Sequence, residues 1–80
     1  MDNLEEIKYK KIKSLFEYVD HEVACGLVLH KYFPSEIKKL INNLNINEIN
    51  QCYINAYYID EKNFFFNLKQ KLEDIKNLNI

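Results

Sequence analysis

Arginine is absent from this 80-residue chain: all eleven basic residues are lysine, set against twelve acids for a net charge of −1. The guanidinium fork reads guanine edges, clamps phosphates and anchors interface hot spots, and none of that chemistry is on hand. Nucleic-acid affinity draws on phosphate neutralisation, so a near-neutral chain without arginine is poorly equipped for it. Glycine and proline occur once each. Strand-and-turn proteins need more backbone punctuation than that, which favours helices. Cys25 and Cys52 are too few for the disulfide scaffold of a small secreted domain, and Ser14 and Ser35 are the only serines. No apolar leader core follows the acidic opening MDNLEE. The longest apolar stretch, Val23 to Leu29, is far shorter than the ~20 residues a membrane span requires. The expectation is a reduced, cytoplasmic protein with no membrane span.

What the chain has in quantity is apolar and aromatic surface: 48% of residues are hydrophobic and eleven are aromatic. A domain of this size buries roughly 60–65% of its unfolded surface. The apolar content exceeds what one small core easily hides, which points to an interface. Lys, Asn and Ile make up 32 of the 80 residues, a bias that AT-rich coding produces by itself.

Periodicity places the helices. Between Asn3 and Val19, Ile12, Leu15, Phe16 and Val19 fall at i, i+3, i+4 and i+7, and Leu4 and Ile7 extend the stripe. Asn3 with Glu6 makes a capping-box-like start, and Glu5 and Glu6 suit the positive helix end. Asp20 to Phe33 is apolar nearly all round. It reads as a central buried helix capped by Asp20, with a buried strand as the alternative for Val23–Leu29, and Gly26 marking a close helix approach. Phe33-Pro34 breaks the chain. Ser35 then caps a short helix with Ile37, Leu40, Ile41 and Leu44 inward, and Asn45 is a left-handed stop. Asn47 opens another helix with Ile49, Cys52, Tyr53 and Ala56 inward. Asp60 or Asn63 caps the last, with Phe65, Leu68, Leu72 and Ile75 as its stripe. The expected fold is all-α: one domain over residues 1–80, a compact bundle of four to five short helices around a single core. Leu15, Phe16, Leu27, Val28, Leu40, Ile41, Leu68 and Leu72 are its expected buried residues.

Chemistry-bearing clusters are sparse. His21, Glu22, Cys25 and His30 include metal-ligating types. Yet on one helix His30 lies about half a turn round from His21 and Cys25, and no second Cys or His pair closes a zinc site. Cys25 with His21 could supply a thiol and a base, but apolar neighbours suggest a buried, inert thiol. No glycine-rich loop or serine motif accompanies them. The expectation is therefore no enzyme, no catalytic residue, no metal and no cofactor. The two short helices meeting at Asn45-Ile46 match a helix-turn-helix only in part. Leu40, Leu44, Ile46 and Ile54 take its apolar positions, but Ile41 stands where a small residue is required and Gln51 falls on an inward one. The would-be recognition helix carries no positive charge. Two helices joined by a short turn are common in any bundle, and the lysines at 8, 10, 11 and 13 read as a solvated face.

The remaining signal is the stretch YYIDEKNFFF. Consecutive helical residues point ~100° apart, so Tyr57, Tyr58, Phe64, Phe65 and Phe66 cannot all face one core. Tyr and Phe are enriched at interface cores. Tyr57, Tyr58, Phe64 and Phe66 are the candidate partner-binding residues, with Tyr58 and Phe66 furthest from the inward stripes. The expected function is a small non-enzymatic protein-binding, adaptor or inhibitor domain whose partner is another protein or a second copy of itself. Its narrowest form is a phage or mobile-element protein that inhibits a host enzyme. The alternatives are a helix-turn-helix DNA regulator, which the composition disfavours, and a thiol-dependent enzyme.

Overall fold

The computed structural model describes residues 3–78, so both ends of the expected 1–80 span lie outside the described residues. Among them are four α-helices and no strand: α1 (Leu4–Ala24), α2 (Pro34–Asn42), α3 (Ile46–Ile54) and α4 (Ile59–Lys76). The fold is all-α with a single packed core. Asn3 caps α1 as its sequence implies, its Oδ1 accepting the Glu6 N–H at 2.8 Å. Asp20 does not start a second helix, because α1 runs through it to Ala24.

Gly26 stops α1. It sits at φ +106, and nothing lies within 4 Å of where its Cβ would be, so it is the backbone conformation and not a close helix packing that calls for glycine. The Leu27 N–H bonds the Glu22 carbonyl at 3.0 Å and the Gly26 N–H bonds the Val23 carbonyl at 3.1 Å, closing a Schellman motif. The expected buried helix over 20–33 is thus the end of α1 followed by non-helical chain. Along that chain Leu27, Leu29 and Tyr32 pack against the core, while Val28, His30 and Phe33 face outward. A second Schellman motif ends α2, with Asn45 N–H to Leu40 O and Leu44 N–H to Ile41 O, each at 3.0 Å. Here the left-handed residue is Leu44 (φ 52), not Asn45. The strain costs about 1 kcal/mol, offset by the packing of its side chain on the core. Asn45 instead caps α3, accepting the Glu48 N–H.

Helices α1 and α4 run antiparallel: Lys11 and Leu15 share one cleft with Lys71 and Ile75, and Glu22 and Cys25 share another with Asp60 and Asn63. Tyr18 stacks on Phe64 between them, centroids 5.5 Å apart. Helix α2 packs on α1, where Lys38 pairs with Asp20, and α3 packs on α4. Fully buried residues come from every helix, including Val19, Ile37, Ile41, Ile49, Phe65, Leu68 and Leu72. Of the eight expected core residues, Leu15, Ile41, Leu68 and Leu72 are buried, and Phe16, Leu27 and Leu40 are partly buried. Val28 is 58% exposed, because the helix that was to bury it does not form.

Candidate functional site

Two non-helical segments come together at one end of the bundle: the stretch after Gly26 and the junction between α3 and α4. The junction ends in Tyr58, the N-cap of α4, where Asp60 or Asn63 was expected. Tyrosine is not a capping side chain, and the work is done from inside the helix by Glu61. Its Oε1 accepts the backbone N–H of Tyr57 at 2.8 Å and of Tyr58 at 3.3 Å. Its Oε2 accepts the N–H of His30 at 2.9 Å, from the other segment. Glu61 is the only charged residue among the described ones that is buried, at 1% exposed. A carboxylate can be held there because both oxygens are hydrogen-bonded by fixed donors. It ties together two backbone segments that no helix controls.

Above this clamp the side chains face outward. The His30 ring stacks on Tyr57, centroids 4.8 Å apart, and meets Tyr58 edge-on at 6.3 Å. Tyr57 and Tyr58 contact each other at 4.8 Å in a T-shaped pair. Val28 and Ile59 flank Tyr58 across a shallow cleft. On the other side of His30 an apolar groove is lined by Val23, Leu27, Leu29 and Phe33. Val28, His30, Phe33, Tyr57, Tyr58 and Ile59 thus leave apolar and aromatic surface exposed at this end of the bundle.

The sequence candidates divide accordingly. Tyr57 and Tyr58 are exposed and adjacent. Phe66 is exposed but packs elsewhere, against Tyr53 at 5.8 Å, beside the Lys62 ammonium that caps the Tyr53 ring. Phe64 is buried at 2%, between Tyr18 and Phe65, and so cannot contact a partner in this fold. Val28, His30, Ile59 and the Glu61 clamp were missed. The clamp had a readable signal in the Glu three residues after Tyr58, the acidic half of a capping box. The same arrangement recurs at α2, where Glu36 Oε1 accepts the Phe33 N–H at 2.8 Å and replaces the expected Ser35 cap.

Cys25, expected in the core, is exposed at the end of α1, with its Sγ 3.6 Å from His21 Nε2. A helix C-terminus presents carbonyl oxygens, whereas nucleophilic thiols and oxyanions are served by N–H donors. The buried thiol is Cys52. Burial raises its pKa above the ordinary 9.0, partly opposed by a hydrogen bond with the Tyr32 hydroxyl. That same hydrogen bond, together with burial, raises Tyr32 above 10.0. Tyr18 is raised too, chiefly by burial. Among the described residues no group of three or more His, Cys, Asp or Glu is placed to hold a metal ion, and no helix is long and apolar enough to cross a membrane. The exposed face of α3 carries Asn47, Glu48, Gln51 and Ile54, so Gln51 stands in solvent where a helix-turn-helix would turn that position inward. Comparison with protein-family models, curated proteins and solved structures returned no match, so no relative assigns a role to any of these residues.

Proposed function

We propose that this chain is a non-catalytic protein-binding module that docks its partner on the surface formed by Val28, His30, Tyr57, Tyr58 and Ile59. One observation carries the reading. These apolar and aromatic side chains stand together in solvent on two segments that a buried carboxylate holds in place. Exposed apolar surface of this extent marks interaction sites, and Tyr is enriched at their hot spots. Fixing the backbone beforehand lowers the ordering cost of association. A cytoplasmic setting accords with two unpaired cysteines. The regulator reading gains nothing from α3, whose exposed face bears an acid and no lysine.

The test is site-specific photo-crosslinking in the cells that express the protein. A photoactivatable residue replaces Tyr57 or Ile59, with Gln70, exposed far along α4, as the control position. Discrete protein adducts from positions 57 and 59 but not 70 are expected. Equal labelling from all three positions, or none, would remove the reading.

A further inference from the structure

We infer that the partner is a second copy of this chain, joined through this same surface in a two-fold symmetric dimer; the inference rests on the docking reading above. Its first support is area. Val28, Phe33, Tyr57, Tyr58 and Ile59 are 58, 73, 70, 45 and 71% exposed. At about 150–250 Å² for a whole aromatic side chain and somewhat less for an aliphatic one, they present on the order of 600 Å² per protomer. Two such surfaces bury roughly 1,200 Å², at the lower edge of what a specific interface requires.

The second support is charge. Lys31 borders the groove at the Phe33 end of the surface, and Asp60 borders the cleft at the Val28 and Ile59 end. Neither is ion-paired among the described residues. A two-fold axis between them sets Lys31 of one copy against Asp60 of the other, twice per dimer. An isologous interface has to be self-complementary in this way. A surface carrying one sign of charge would instead repel its own copy.

Sedimentation velocity of the full chain from about 5 μM to about 1 mM tests this. A reversible dimer with Kd on the order of 10–100 μM is expected for so small an area. Tyr57→Ala with Ile59→Glu should weaken it by about 100-fold or more. Lys31→Asp alone and Asp60→Lys alone should each weaken it by about 10-fold, and the two together should restore it to within about 3-fold of the parent. Lys31 and Asp60 are exposed, so the charge exchange does not depend on core packing, and circular dichroism checks each fold. A monomer at all concentrations overturns the inference, as does a dimer indifferent to these substitutions or one that the double exchange fails to restore. If the monomer still gives adducts to a different protein at positions 57 and 59, the docking reading stands without self-association. If it gives none, both fall.

Discussion

Replacing Glu61 with glutamine keeps the shape of the side chain and removes one acceptor. The amide oxygen can serve Tyr57 and Tyr58 where Oε1 does now, but the NH₂ group then faces the His30 N–H, donor against donor. That orphaned N–H costs about 1–3 kcal/mol. The bonds that survive also change from charged to neutral acceptors, losing roughly half their strength. Burying a neutral amide in place of a charge returns part of this. A net loss of about 2–4 kcal/mol follows, from a total on the order of 4–12 kcal/mol for a domain this size. The melting temperature should fall by about 10–25 °C. Amide exchange at His30 and along residues 27–33 should accelerate beyond the global change, since that segment loses its tie to α4. Glu36→Gln is the control: the same helix position and the same kind of bond to Phe33, but exposed, so water replaces what is lost and the cost stays below about 1 kcal/mol. If both substitutions cost the same, or if His30 exchange is unchanged in Glu61→Gln, the clamp argument is wrong.

Three further outcomes are expected. Ile41→Ala, at a fully buried position, should cost about 2–5 kcal/mol in urea denaturation, and Leu40→Ala clearly less because Leu40 is only partly buried. In the native state a thiol reagent should titrate Cys25 quickly and Cys52 only on unfolding, so fast alkylation of Cys25 reports exposure and is no evidence of catalysis; equal rates for the two would contradict the packing of α3 on α4. Cys52, Tyr32 and Tyr18 hold their protons to higher pH folded than unfolded. The folded state therefore binds more protons between the two values, and their contribution is whole below about pH 9 and is lost as pH rises through the folded values. Urea midpoints should decline above that pH, and Cys52→Ala should flatten the first part of the decline; a flat profile to pH 11 would refute the assignment.

The helices were legible where one face is apolar and the other is not. The period-3.6 stripes of α1, α2 and α4 are in the letters, as is the Asn3 cap. The segment after Ala24 was illegible for a definite reason. Inward Leu27 and Leu29 alternate with outward Val28 and His30, but outward Lys31 breaks the alternation before inward Tyr32, and the outward Val28 and Phe33 are themselves apolar, so no single period shows. Phe64 was misassigned because an apolar stripe about 100° wide has room for two consecutive residues. Phe64 and Phe65 lie four and three residues before Leu68 and fit together, leaving only Phe66 outside. Tyr57 and Tyr58 are exposed as expected, but not for the helical reason given, because both lie in the non-helical junction between α3 and α4. Glu61 was overlooked because a glutamate is expected in water, and only its partners explain its burial.

Those partners also explain why the candidate surface lies where it does. A helical chain pairs its own backbone groups except at its ends, where N–H donors must find acceptors elsewhere. The α3–α4 junction and the segment after Gly26 each bring such donors toward the interior, at Tyr57, Tyr58 and His30. One carboxylate meets all three, from the first turn of α4, where the helix dipole also favours negative charge. With the backbone turned inward to Glu61, the side chains of these residues have only the outer side left. Their exposure is therefore a consequence of how the junction is satisfied, and polar residues could have filled those positions without loss to the fold. Tyr57 and Tyr58 stand there instead, with Val28 and Ile59 exposed beside them, and each leaves apolar area in water that association would remove. The fold accounts for the direction of these side chains but not for their chemistry, and it is the chemistry that argues for a partner.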